Sequence, residues 1–171
     1  MTTSLVVVES HWGNTERIAY AVAEGLAAAG DARVVRVDDA PTRLEGVDLL
    51  VIGAPTHAFS LSRPATRDEA IAKGATQPSA SGIREWMARI EADARHILVA
   101  TFDTKVEQVK RLPGSAAWAA RRVAKSAGLP LTQRPTSFSI GGHDGPVLPG
   151  ELERARPFGR DRVGAAAVSF R

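Results

Sequence analysis

The chain has 171 residues, of which 44% are hydrophobic, and a formal net charge of +3; this is enough apolar material for one packed core. It contains no cysteine, which excludes disulfides, thiolate metal sites and a cysteine nucleophile. No apolar run approaches the ~20 residues needed to cross a bilayer, and the scattered basic residues form no nucleic-acid recognition motif. We therefore expect a single domain over residues 1–171 in the cytoplasm, with neither membrane nor nucleic acid as partner.

A strand, a polar turn and a helix open the chain. Leu5 to Val8 is an uninterrupted apolar run, typical of a strand buried on both faces of a parallel sheet. Apolar residues then recur at helical spacing over residues 18–26. The turn between them, residues 10–15, leads into a helix N-terminus, where the first N–H groups have no partner within the helix. This arrangement predicts an anion site, and a phosphate group is the expected ligand.

Strands and helices alternate along the rest of the chain. Strands are predicted at residues 33–37, 48–53, 96–101 and 136–140, the first of them near a sheet edge. Helices are predicted after the capping box of Thr66 and Glu69, at residues 83–90 and 116–127, and from residue 150 onward. Pro157 is expected to kink or end that terminal helix, which leaves residues 160–171 as a separate or frayed piece.

This alternation predicts a parallel sheet with helices on both faces. Polar or glycine-containing turns follow four of the predicted strands, at residues 10–15, 54–59, 101–105 and 141–146. The carboxyl ends of parallel strands meet at one edge of the sheet, where such folds bind their ligands. The four turns are therefore expected to form one site.

The first turn identifies the kind of phosphate loop. It contains neither the Gly-Lys-Ser/Thr of a P-loop nor the three glycines of a dinucleotide-binding turn. Its sequence S-H-W-G-N-T resembles the FMN phosphate loop of flavodoxin-like proteins, and Ser10, Gly13, Asn14 and Thr15 match that pattern. Trp12 departs from it, because a hydroxyl residue is usual there. Without the resemblance, the same turn is equally a βα connection with Asn14 or Thr15 as the helix N-cap.

Two further loops extend the resemblance. Residues 53–57, G-A-P-T-H, look like the family's second loop, where a ring and backbone groups border the isoalloxazine. Residues 101–104, T-F-D-T, stand in the third loop and match the family only in part. The alternatives are a strand-ending turn fixed by Pro55 for the second loop, and a buried Phe102 with a turn-forming Asp103 for the third.

The resemblance covers about residues 4–159 and implies a doubly wound five-stranded parallel sheet in the flavodoxin-like order 2-1-3-4-5. It also implies FMN as cofactor. The residues expected to bind it are Ser10, His11, Trp12, Gly13, Asn14, Thr15, Pro55, Thr56, His57, Thr101, Phe102 and Asp103. The four histidines are isolated in sequence, so no metal site is expected.

Three functions are compatible with these features. The first is an FMN-binding protein that transfers electrons between redox partner proteins; the basic net charge, unusual for an electron-carrier flavodoxin, favours acidic ones. The second is a flavodoxin-fold reductase that passes hydride from NAD(P)H to a quinone or similar acceptor, with residues 60–81 shaping the pocket. The third is a binding domain that has kept the fold and lost the flavin.

Overall fold

The computed structural model describes residues 1–91, 96–132 and 134–169, and it contains a parallel sheet at its centre. The strands are β1 (Ser4–Val8), β2 (Ala32–Arg36), β3 (Leu49–Pro55), β4 (Leu98–Val106) and β5 (Thr136–Ile140). All pairings are parallel, and the strand order is β2-β1-β3-β4-β5. The predicted fold class and the order 2-1-3-4-5 are confirmed.

Helices cover both faces of the sheet. They are α1 (Asn14–Leu26), α2 (Pro64–Ala72), α3 (Ile83–Met87), α4 (Ala116–Ser126) and α5 (Glu151–Ser169). One core layer packs the sheet against α3 and α4, and the other packs it against α1 and α5. Among the described residues, no helix is both long and apolar enough to span a membrane.

The apolar run of β1 serves both core layers. Leu5 and Val7 belong to the layer under α3 and α4, whereas Val6 and Val8 belong to the layer under α1 and α5. Successive side chains of a strand point to opposite faces, so a central parallel strand needs apolar residues at every position. All four side chains are buried, as the sequence predicts.

The terminal helix differs from its prediction. Pro157 lies inside α5, which continues to Ser169 without ending at the proline. Residue 157 is on the exposed side of the helix, where water can serve the carbonyl group that a proline leaves without a donor. The predicted end of the helix at Pro157 was therefore wrong.

Helices α1 and α5 pack with their backbones in direct contact. A Cβ on Gly25 would overlap the carbonyl of Arg156, and one on Gly159 would overlap the carbonyl of Val22. Glycine at both positions allows an approach that any side chain would prevent. Because α1 carries the first polar turn at its N-terminus, this packing fixes the position of that turn over the sheet.

Replacing Gly159 with alanine tests this packing. The added methyl group must separate α1 from α5, and such overpacking typically costs about 1–3 kcal/mol. Alanine is favoured over glycine in a helix by about 1 kcal/mol, so we expect a net loss of up to roughly 2 kcal/mol in urea unfolding. Arg160→Ala, at an exposed neighbouring position, is the control and should change stability little. Stabilisation by Gly159→Ala would contradict the close packing.

Candidate functional site

A solvent-open cleft with an empty volume of about 800 Å³ lies at the carboxyl edge of the sheet. Its position beside β1 and β3 is the point where the strand order reverses, which is the usual ligand site of such sheets. The first turn, the segment after β3, helix α2 and the ends of β4 and β5 form its walls. The lining residues are Ser10, His11, Trp12, Asn14, Thr15, Pro55, Thr56, His57, Ala58, Thr66, Glu69, Ala70, Lys73, Thr104, Val106, Ile140 and His143.

The first turn presents the N-terminus of α1 to this cleft. Gly13 adopts a left-handed conformation with φ 84°, which glycine tolerates best. The Ser10 hydroxyl oxygen accepts hydrogen bonds from the Gly13 N–H at 3.1 Å and the Glu16 N–H at 3.4 Å. Asn14 and Thr15 are the first helical residues, so their N–H groups have no partner within the helix. The sequence prediction of an anion-binding helix N-terminus agrees with this geometry.

Two threonine hydroxyls meet beside that N-terminus. Thr15 Oγ1 and Thr104 Oγ1 lie 2.8 Å apart, and both side chains are buried at the cleft wall. Each hydroxyl has one proton to donate. Since one hydroxyl donates to the other, the accepting hydroxyl keeps its own proton for a ligand oxygen.

The segment after β3 forms a tight turn. His57 and Ser60 exchange two backbone hydrogen bonds of 2.9 Å each. The two residues between them, Ala58 and Phe59, have φ values of 45° and 60°. This left-handed geometry normally selects glycine or asparagine in a two-residue hairpin turn. The turn is therefore strained, and strain of this kind concentrates at functional sites.

A buried carboxylate joins the first turn to the segments around it. Glu9 is completely buried. It accepts hydrogen bonds from His11 Nε2 at 3.0 Å, from the Ile83 N–H at 3.0 Å and from the Ser62 hydroxyl. The segment after β3 and the start of α3 are thereby held against the first turn.

The His57 ring faces the cleft next to this network. Its centroid lies 5.1 Å from that of the His11 ring. Burial lowers the pKa of His57 below its ordinary value of 6.5; charge on His11 lowers it further, while the Glu9 carboxylate acts in the opposite direction. His57 is therefore a neutral imidazole at neutral pH, with one nitrogen to donate a hydrogen bond and one to accept.

Helix α2 supplies a cleft wall within residues 60–81, which were expected to shape the pocket only under the reductase hypothesis. Thr66, Glu69 and Lys73 line the cleft, and the capping box around Thr66 was the only local signal for this helix. The opposite side of α2 is fixed by Arg67, which is buried and pairs with Glu85 at 3.1 Å. Because that contact joins elements far apart in sequence, no local pattern shows which way α2 faces.

The third predicted loop needs correction. Strand β4 runs to Val106 instead of ending near residue 101, so Thr101, Phe102 and Asp103 lie inside the strand and do not line the cleft. Phe102 is completely buried against Phe138 and Phe158, so its side chain is not available for the expected contact with FMN. For the third loop, the structure agrees with the alternative interpretation, in which Phe102 is a buried residue.

Thr101 and Asp103 instead support α4. The Thr101 hydroxyl donates to the Ala117 carbonyl at 3.0 Å, and Asp103 accepts from the Ala117 N–H at 2.8 Å. Both contacts position the start of α4. Among the predicted residues, those at 10–15 and 55–57 are therefore brought together, and those at 101–103 are not.

An aromatic pair lines the cleft beside the first turn. Trp12, the residue that departs from the phosphate-loop pattern, contacts the exposed His143 edge to face at a centroid distance of 5.2 Å. Both rings line the cleft. His143 belongs to the last of the four turns. That turn therefore reaches the cleft, as expected if the four turns form one site.

Together these features define a doubly wound α/β protein with a cleft at its topological switch point. A family model described as Flavodoxin matches residues 6–96, more than half of the chain. The protein belongs to the flavodoxin family.

Solved structures agree with this assignment at the level of the fold. A short-chain flavodoxin associated with a non-canonical PDU bacterial microcompartment has a TM-score of 0.69 at 15% identity, covering 97% of this chain and 99% of that one. Flavodoxin 2 from Bacillus cereus has a TM-score of 0.67 at 16% identity, covering 96% and 99%. A flavodoxin from the domain Archaea has 0.66 at 14% identity, covering 97% and 99%. No curated protein matches the sequence.

The buried Asp103 gives the fold a specific pH dependence. Burial raises the pKa of its carboxyl group above the ordinary 3.8, although hydrogen bonds from Ser115 and Ala117 oppose the shift. The folded state therefore binds this proton more tightly than the unfolded chain, and stability falls as the pH rises from about 3.8 through the folded pKa.

Asp103→Asn replaces the ionisable carboxyl group with an uncharged amide, whose oxygen can still accept a hydrogen bond from the Ala117 N–H. We expect the difference in free energy of unfolding, variant minus native, to rise with pH over this range in urea titrations. Asp68→Asn, at an exposed position of α2, controls for the loss of one carboxylate. A difference that falls with pH would mean that the Asp103 charge stabilises the fold.

Proposed function

We propose that the cleft binds FMN and that the protein transfers electrons between redox partners. The observation that carries the proposal is the N-terminus of α1, with the Ser10 hydroxyl and the Thr15–Thr104 pair beside it, at one end of the cleft. These are neutral donors, and helix N-termini hold phosphate by their N–H groups and dipole without needing a lysine. The donor set therefore fits the phosphate end of FMN.

The remainder of the cleft suits the ring system of the cofactor. Its walls carry the rings of Trp12, His57 and His143 and the apolar side chains of Val106 and Ile140. In the bound state FMN would supply the redox chemistry, and the protein would set its position and surroundings. His57, neutral but able to donate and accept, would hydrogen-bond polar atoms of the ligand.

The family and its structures support this proposal. Similar solved structures include oxidised Flavodoxin 2 from Bacillus cereus and two-electron reduced Megasphaera elsdenii flavodoxin. Those proteins are thereby described in two redox states. The proposal for this chain includes a single domain over residues 1–171, a cytoplasmic location and an acidic partner protein that complements the net charge of +3.

Thr15→Val tests the phosphate site. The change keeps the shape of the side chain and removes one hydroxyl of the Thr15–Thr104 pair. Hydrogen bonds to a charged group contribute about 1.5–3 kcal/mol, so FMN affinity should fall roughly tenfold to a hundredfold. The measurement is quenching of flavin fluorescence on titration with FMN.

Riboflavin and a surface variant are the controls. Riboflavin lacks the phosphate, so its affinity should be the same for native protein and Thr15→Val. Thr76→Val changes an exposed threonine that does not line the cleft and should leave both affinities unchanged. An equal loss for FMN and riboflavin would place the phosphate elsewhere, and no quenching by either would favour the non-redox binding domain.

A second candidate is a flavodoxin-fold reductase acting on a quinone or similar acceptor. It is favoured by the α2 wall, which encloses space beside His57 with the polar side chains of Thr66, Glu69 and Lys73. The buried contact of Arg67 with Glu85 holds that wall in place. An enzyme needs such a fixed wall to hold a substrate next to the flavin.

Steady-state oxidation of NAD(P)H by the FMN-loaded protein, with a quinone as acceptor, separates the two candidates. The electron-transfer proposal predicts no turnover above that of free FMN unless a separate reductase is added. Sustained turnover by the protein alone, lowered in His57→Gln, would favour the reductase.

A further inference from the structure

Three exposed apolar side chains lie on segments that contact one another beside the cleft. Phe59, Leu112 and Trp118 are 42%, 50% and 42% exposed. Phe59 belongs to the turn whose neighbouring residues line the cleft. Leu112 lies in the connection after β4, and Trp118 lies in the first turn of α4. Exposed apolar side chains are ordinary when scattered, but a contiguous group marks an interaction site.

Specific contacts hold the three segments together. A Cβ on Gly114 would lie 2.8 Å from the Phe59 carbonyl oxygen, so the turn and the connection after β4 are in direct contact. The buried Lys105 donates to the carbonyls of Leu112 at 2.6 Å and Gly114 at 2.9 Å, and its Nζ lies 5.7 Å from the centre of the Phe59 ring. The Thr56 hydroxyl oxygen accepts from the Ala116 N–H at 2.9 Å, which fixes the start of α4 beside the turn.

The exposed position of Phe59 is maintained against a local energetic cost. Its φ of 60° follows the φ of 45° at Ala58, and a bulky residue with positive φ is an outlier. Such conformations cost of order 1–3 kcal/mol each and persist where the surroundings impose them. Here the contacts with Gly114 and Lys105 impose it, and the result is an aromatic ring held at the mouth of the cleft.

The same surface is basic. The outer face of α4 carries Trp118, Arg122 and Lys125, which recur at helical spacing. Arg111 is next to Leu112 in sequence. All four residues are exposed. Within the described ranges, Arg111, Arg122 and Lys125 form no ion pair. The nearby Glu107 pairs with Lys110 at 3.6 Å. The positive charge of the patch is therefore uncompensated by this chain.

We propose that Phe59, Leu112 and Trp118, together with Arg111, Arg122 and Lys125, form the docking surface for an acidic redox partner protein. The inference rests on the proposed electron-transfer function and identifies where and how the partner binds. Exposed aromatic and arginine side chains are the residue types that dominate protein interfaces. A partner seated on this patch covers the turn at residues 57–60, and hence the mouth of the cleft where the flavin is proposed to bind.

Other occupants fit this surface less well. A second copy of the chain in a two-fold dimer would place the basic patch against itself, and like charges facing each other across an interface are costly. A nucleic acid is expected to follow an extended basic stripe, whereas this patch has three apolar side chains at its centre. An acidic protein surface satisfies both the charge and the apolar centre.

Binding of the soluble domain of cytochrome b5, an acidic haem protein, tests the proposal. The probe is titrated into uniformly labelled protein without added FMN, at low and at high salt, and NMR shift changes are mapped. We expect changes at Phe59, Leu112 and Trp118, with an affinity that falls as salt rises. Cytochrome c, a basic haem protein, should produce no changes at the same concentrations. Because no FMN is used, failure of the proposed cofactor site would not alter this result.

Charge reversals of equal size supply the matched comparison. Arg122→Glu combined with Lys125→Glu should weaken binding of the probe about tenfold or more, and Trp118→Ala should weaken it while leaving the net charge unchanged. Arg33→Glu combined with Arg160→Glu, at exposed positions on β2 and α5, makes the same change in net charge and should have a small effect.

Three outcomes would overturn the proposal. The first is equal weakening by the two double variants, which would indicate attraction by net charge alone. The second is absence of probe binding at low salt, or shift changes that map to another surface. The third is occupation of the patch by another partner. A short DNA duplex that binds more tightly than the probe and displaces it would show this, and so would a dimer, detected by sedimentation, that Trp118→Ala abolishes.

Discussion

The shape of the cleft depends on one buried charge. Glu9 follows β1 directly and is completely buried, and a buried carboxylate is costly unless donors surround it. Its donors come from three places in the chain: the His11 ring, the Ser62 hydroxyl and the Ile83 N–H. The first turn, the segment leading into α2 and the start of α3 must therefore converge on β1. The first turn and the segments on either side of the α2 wall are therefore held in place by this one group.

The sequence predicts the sheet and two of the site loops because their signals are local. The apolar runs of β1 and β3 each specify a buried parallel strand without reference to the rest of the chain. Strand β4 shows where local signals fail, since Asp103 and Lys105 suggest an early end. Asp103 instead pairs with the Ala117 N–H, and Lys105 with the carbonyls of the connection that follows β4. Both partners are set by tertiary structure, so the strand continues to Val106.

The same distinction explains the other differences from the sequence-based expectation. Pro157 carries a strong local signal for a break, but the close contact of Gly159 with α1 holds α5 in register on both sides of it. The capping box predicted from Thr66 and Glu69 indicates a helix here, but α2 begins earlier, at Pro64, and Thr66 is its third residue. The direction that α2 faces depends on Arg67 and Glu85. Patterns in the sequence therefore predict the helix, but they do not show that residues on it, or Lys73 directly after it, face the site.

The turn at residues 57–60 connects the two surfaces on which the function is proposed to depend. His57 faces inward beside His11, and Phe59 faces outward beside Lys105. Two backbone hydrogen bonds close the turn, so the residues between them cannot relax their positive φ independently. The strain is local, and what maintains it is the packing of Gly114 and Lys105 against Phe59. A ligand that contacts His57 and a partner that contacts Phe59, as proposed above, would thus share one support.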